Sequence, residues 1–165
     1  MKEQLPSSVT RTLVTLITEL LDGPPGREAY MLNVGDRGLL GALDSLSAAD
    51  ASVIGPSGSS VAAHVDHLRY GFNLMNRWSA GENPFATSDW AASWRRTTVN
   101  DEEWAARRRE LRDEATRWKQ VLGTPRDVND MEAAGIIGSI AHTAYHLGAI
   151  RQMQPALRGP KDLAV

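Results

Sequence analysis

The chain carries four histidines and no cysteine, and the histidines fall in two close pairs, His64 with His67 and His142 with His146. The second pair lies in Ala141-His142-Thr143-Ala144-Tyr145-His146-Leu147-Gly148-Ala149-Ile150-Arg151-Gln152, a stretch without proline. On a helix a four-residue step puts both rings on one face, one turn apart, where their nitrogens can reach a single point. That is metal-ligand spacing. Three neutral imidazoles at about 2.1 Å suit Zn, Ni or Fe and leave coordination positions for water or substrate. His64 and His67, three residues apart, can also share a face, so spacing alone does not choose which of them completes a triad.

The missing cysteines exclude disulfides, thiolate zinc sites and a protein thiol nucleophile, and leave transition-metal ligation to histidine and carboxylates. A divalent cation held by imidazoles alone keeps its full charge, which acidifies water or attracts an incoming thiolate. Around such a centre Tyr70, Tyr145 and His64 are candidate acid-base or supporting groups. Asp66, one residue before His67, points about 100° away on a helix and is expected to form an ion pair. Asp44 is a candidate to orient a ligand imidazole through its distal N–H.

Four main helices are predicted to position these residues, over about 6–22, 60–80, 100–122 and 130–153. Ser7 or Ser8 is a candidate cap for the first, and Gly23-Pro24-Pro25-Gly26 ends it. Residues 27–58 read as an irregular connection with a short helix near Leu39–Leu46 and a turn at 47–51. The second helix places Ser60, Ala63, His64, His67, Gly71 and Leu74 on one stripe; the fourth places Gly135, Gly138, His142, Tyr145 or His146, and Ala149 on another. Both His-bearing stripes are rich in small residues, which predicts close packing of the two helices through them.

Asn100 with Glu103, and Asn129 with Glu132, have capping-box spacing and start the third and fourth helices. Trp104, Leu111, Ala115, Trp118 and Leu122 form the apolar seam of the third. Residues 81–99 are too many for a helix hairpin and read as a crossover with one short helix. The segment from Pro155 to Val165 is expected to be loosely ordered. This pattern predicts a single all-α domain over 1–165, a four-helix bundle with two long connections.

A net charge of -2 argues against a nucleic-acid partner, so Arg95-Arg96 and Arg107-Arg108-Arg109 read as solvated helix faces. No apolar run reaches the ~18 residues of a membrane span, and Met1-Lys2-Glu3-Gln4 lacks a signal-peptide shape, so no membrane partner and a cytoplasmic location are expected. Half of the ten aromatic residues are tryptophan. Trp104 and Trp118 are expected in the core, while Trp90 and Trp94, outside the main helices, suit a pocket lid or an interface.

Ser60-Val61-Ala62-Ala63-His64-Val65-Asp66-His67-Leu68-Arg69-Tyr70, taken with the 141–152 stretch, resembles the two signature segments of the DinB-like (YfiT-like) superfamily of damage-inducible helical bundles. The resemblance spans roughly residues 5–153. It implies an up-down-down-up four-helix bundle, often homodimeric, in which three histidines hold a divalent metal: His67, His142 and His146 at the matching positions. His64 matches no ligand position. Some members are metal-dependent transferases or isomerases that use bacillithiol, mycothiol or glutathione. The expectation is therefore a metal-dependent enzyme that activates a low-molecular-weight thiol, or water, for attack on a small-molecule substrate. The alternative is a non-enzymatic dimeric module with a structural metal or none.

Overall fold

Asn100 and Asn129 each accept a hydrogen bond from the backbone of the glutamate three residues on, and that glutamate's carboxylate accepts the asparagine N–H in return. These two capping boxes satisfy donors that a helix start leaves unpaired, and they set the beginnings of the two longest helices. In this computed structural model, which describes residues 2–56 and 58–161, the helices are α1 (Ser7–Asp22), α2 (Gly38–Leu43), α3 (Ala48–Ala51), α4 (Val61–Ser79), α5 (Asp101–Gly123) and α6 (Asp130–Met153). Two-residue strands β1 (Glu3–Gln4) and β2 (Asp127–Val128) pair antiparallel. The chain is mostly helical, and none of its described helices is long and apolar enough to cross a membrane.

Helix α4 packs against both α5 and α6, and α1 against α2, α5 and α6. The shared core holds Ile17, Leu20, Leu39, Leu43, Val65, Leu68, Leu111, Ile136, Leu147 and Ile150. The predicted seam of α5 is buried along its length, with Trp118 fully enclosed and its Nε1–H donated to Ser139 Oγ at 2.9 Å. Trp104 donates its Nε1–H to the carbonyl of Leu46 at 2.7 Å. Each buried indole therefore has a partner for its polar atom.

Several local expectations are corrected. Helix α1 begins directly after Pro6, so Ser7 and Ser8 lie inside its first turn and neither side chain caps it. The turn at 47–51 is the short helix α3, capped by Ser47. The 81–99 crossover contains two 3₁₀ turns, Pro84–Thr87 and Ala92–Trp94, in place of one helix. The segment after Pro155 is docked: Leu157 is buried and the Pro160 carbonyl accepts from Asn33 Nδ2 at 2.7 Å. The remainder of that prediction, 162–165, lies outside the described residues.

Within the arginine clusters, Arg107 and Arg108 are ion-paired, and the exposed Arg95 lies 3.5 Å from Asp89. Arg107 lies 2.7 Å from Glu110 and 3.8 Å from Asp66, and Arg108 and Arg112 converge on Asp44 at 3.2 and 2.9 Å. Two carboxylates lock interior joints. Glu19 is 1% exposed and accepts the backbone N–H groups of Tyr30, Met31 and Leu32 at 2.6–3.0 Å. Glu114 of α5 accepts from Asn73 and Asn76 of α4 and pairs with Arg117. Burial alone would raise the Glu114 pKa, but the bonds from Asn73, Asn76 and Arg117 outweigh it and hold the carboxyl below its usual value. A lowered folded-state pKa gives stability that is present above the unfolded carboxyl's range and is lost as pH falls through it. Glu114→Gln is therefore expected to flatten the acid limb of the stability profile below about pH 5, as read by urea midpoints across pH. An unchanged slope would remove Glu114 from the acid response.

Candidate metal centre

The four histidines meet between α4, α6 and the second 3₁₀ turn. His142 Nε2 sits 3.1 Å from His67 Nε2 and 2.8 Å from His146 Nε2, and the three ligating atoms lie within 4.8 Å of one another. His67 and His146 are buried and His142 is half-buried. Two ligands at about 2.1 Å from one ion stand about 3.0 Å apart at a right angle and about 3.4 Å apart at the tetrahedral angle. The two spacings that involve His142 fall within a few tenths of an ångström of the right-angle value, and the third pair, His67 with His146, lies within 4.8 Å. Among the described residues, no carboxylate belongs to the cluster.

Hydrogen bookkeeping then settles ring orientation. Ser93 Oγ has one hydrogen and donates it to the Trp90 carbonyl at 2.7 Å, so the contact of His67 Nδ1 to the same oxygen, at 2.8 Å, is donated by the imidazole. His67 Nε2 is left bare and faces the other two rings. His146 Nδ1 lies 2.8 Å from His64 Nδ1. When His146 turns an Nε2 lone pair inward, its Nδ1–H is donated to His64, the kind of outward partner that metal-ligating histidines use. Trp94 stacks on His67 with centroids 4.2 Å apart and meets His64 edge-on at 5.0 Å, fixing both ring planes.

Burial, and behind it the repulsion of His142 and His64, pushes the His67 pKa down to about 4. Burial and repulsion from His142, His64 and His67 push His146 down to about 3, and burial lowers His64 and His142. All four rings are uncharged at neutral pH, the protonation state a metal requires.

The other candidate residues are placed as follows. Tyr70 Oη accepts the Asp89 N–H at 3.0 Å and its ring abuts Trp90, so it holds the crossover against α4. Tyr145 borders His146 edge-on at 5.1 Å with the residue 70% exposed. Asp66 pairs with Arg69 at 3.0 Å, as its position on the helix predicts. Asp44 is spent on Arg108 and Arg112 and orients no histidine; that task falls to Ser93. Sequence reasoning missed Ser93, whose one visible signal is its place between Trp90 and Trp94.

The small-residue stripes do not form the expected close backbone contact. A Cβ on Gly138 would meet nothing within 4 Å, one on Gly135 would approach Trp78 Cζ3 at 2.9 Å, and one on Gly71 would lie 3.7–3.8 Å from Trp90 and His142. All three glycines line a cleft of about 240 Å³ beside His142, between α4 and α6, and only Gly138 faces open space there. A larger groove of about 580 Å³ lies between β1 and the start of α6, but no histidine lines it. No family model, curated protein or solved structure matches the chain.

Proposed function

We propose that the chain is a divalent-metal-binding protein whose ion is held by His67, His142 and His146 and is open to an exogenous donor. The observation that carries this reading is the convergence of three Nε2 atoms, with His67 Nε2 bare of hydrogen and His146 able to match it. The contacts of His142 Nε2 to the other two rings share at most one hydrogen, and burial with mutual repulsion disfavours a second one by protonation, so lone pairs remain for a cation. A cation satisfies all three at once. When bound, it supplies Lewis acidity and its positive charge, which favour an anionic donor such as a thiolate or hydroxide.

The activity this supports best is transfer or hydrolysis in which a low-molecular-weight thiol or water attacks a small electrophile, within a DinB-like four-helix arrangement. The protein's own contribution is positional. Ser93 and His64 hold the tautomers of two ligands, Trp94 fixes ring planes, and the residues around His142 shape the approach. Ser93→Ala and His64→Ala are each expected to weaken metal affinity 10–100-fold, as loss of such outward partners does elsewhere. Calorimetric titration with Zn²⁺ checks this, and an unchanged affinity would make these contacts incidental.

The deciding experiment uses untagged protein stripped with chelator and titrated with Zn²⁺, Ni²⁺ and anaerobic Fe²⁺. One ion per chain is expected, with a melting temperature raised by about 5–10 °C at a hundredfold excess over Kd. Binding no stronger than that of a His67→Ala, His142→Ala, His146→Ala triple variant would refute the metal centre. Turnover of a thiol with a model electrophile by the loaded protein then separates an enzyme from a module with a structural ion.

A further inference from the structure

The cleft beside His142 has a composition that says what enters it. Its walls are Leu68, Gly71 and Phe72 of α4 facing Gly135, Gly138 and Thr143 of α6, with Phe85 of the crossover at the rim. Among the described residues, no charged side chain lines it. Its two hydroxyls are already committed: Thr143 Oγ1 donates to the Ser139 carbonyl at 2.8 Å, and Ser139 Oγ donates to the Ile136 carbonyl at 2.7 Å while accepting from Trp118. The His142 ring is the remaining polar feature of the lining. An occupant therefore gains by burying apolar surface and by presenting a donor only at the histidine end.

Size and shape narrow it further. A dry cavity of about 150 Å³ accepts benzene, so about 240 Å³ accommodates one ring with a short substituent. Gly71 of α4 and Gly135 and Gly138 of α6 keep bulk off both walls, and Phe72 and Phe85 bring two aromatic rings to the lining. A planar aromatic group fits such a slot.

We infer that this cleft binds the aryl body of a small ligand, one aromatic ring on a one- or two-carbon stem whose far end carries the donor that reaches the histidine cluster. The orientation rests on the metal-centre reading above; the cleft itself does not.

Two measurements on the full chain separate those parts. With Co²⁺-loaded protein, calorimetry is expected to show benzyl mercaptan binding about tenfold or more tightly than ethanethiol, the increment for burying a ring. In Gly138→Leu, whose added side chain starts in open space and favours the helix, that ratio is expected to collapse towards one. With metal-free protein, toluene is expected to shift the amide resonances of Leu68 and Thr143 saturably in the wild type and not in Gly138→Leu. Equal thiol affinities, or a ring advantage that survives Gly138→Leu, overturn the aryl assignment even where metal binds. Saturable toluene binding without metal binding keeps the cleft and removes the centre, whereas toluene without effect at Leu68 and Thr143 removes the cleft.

Discussion

Replacing His142 by alanine is expected to weaken divalent-metal binding by on the order of a hundredfold or more, corresponding to roughly 3 kcal/mol per imidazole of a histidine site. His142 is the member to remove because its Nε2 is the nearest neighbour of both other ligands, at 3.1 and 2.8 Å. The same substitution acts in the opposite direction on the metal-free protein's response to acid. After burial, His142 is the foremost cause holding the His67 and His146 pKa values near 4 and 3. Histidines with folded-state values below an unfolded value near 6.5 give stability that is complete above pH 6.5 and is lost as pH falls towards the folded values. Without His142 both values rise and that loss shrinks. Metal titration at pH 7.5 and chelated melting curves from pH 7 to pH 4 read the two effects. Undiminished affinity, or a metal-free acid slope as steep as the wild type's, would contradict this account of the cluster.

Glu19→Ala is expected to cost about 3 kcal/mol, comparable to truncating a buried core side chain. The carboxylate lies inside α1, and its oxygens accept three consecutive backbone N–H groups of the loop that follows. Alanine leaves those donors without their acceptor and removes the anchor that draws the loop against α1. For a chain of this length such a loss lowers the melting temperature by about 10 °C. Glu19→Gln keeps one acceptor oxygen but turns an NH₂ towards a donor, so an intermediate loss is expected. Chemical denaturation of the three proteins decides it, and a cost below about 1 kcal/mol for the alanine variant would show that the loop is held by other contacts.

The parts legible in the sequence are those where local physics decides. Helices α5 and α6 begin within one residue of prediction because the Asn100/Glu103 and Asn129/Glu132 boxes work over three residues. His142 and His146 share a face because four residues make about one helical turn. What escaped depends on what another segment brings. Ser93 reaches His67 from a crossover that has no periodicity to read. Asp44 has the chemistry to orient a ring, but Arg108 and Arg112, distant in sequence, claim it. A glycine stripe permits either close helix contact or an opening, and only the placement of Trp78 and Trp90 decides between them. Spacing does not choose between His64 and His67; in the structure His67 joins His142 and His146, while His64 Nδ1 lies against the Nδ1 of His146.

The crossover between α4 and α5 carries Phe85 at the mouth of the cleft, Trp90 beside His142, Ser93 on His67 and Trp94 stacked over His67. One short segment therefore both guards the entrance and clamps an imidazole. Under the proposed function, a displacement that carried Phe85 and Ser93 outward together would also lengthen the Ser93 to His67 bond, and would couple admission of a guest to tenacity for the ion. By reciprocity, whatever factor an ion adds to the affinity for that guest, the guest adds to the affinity for the ion.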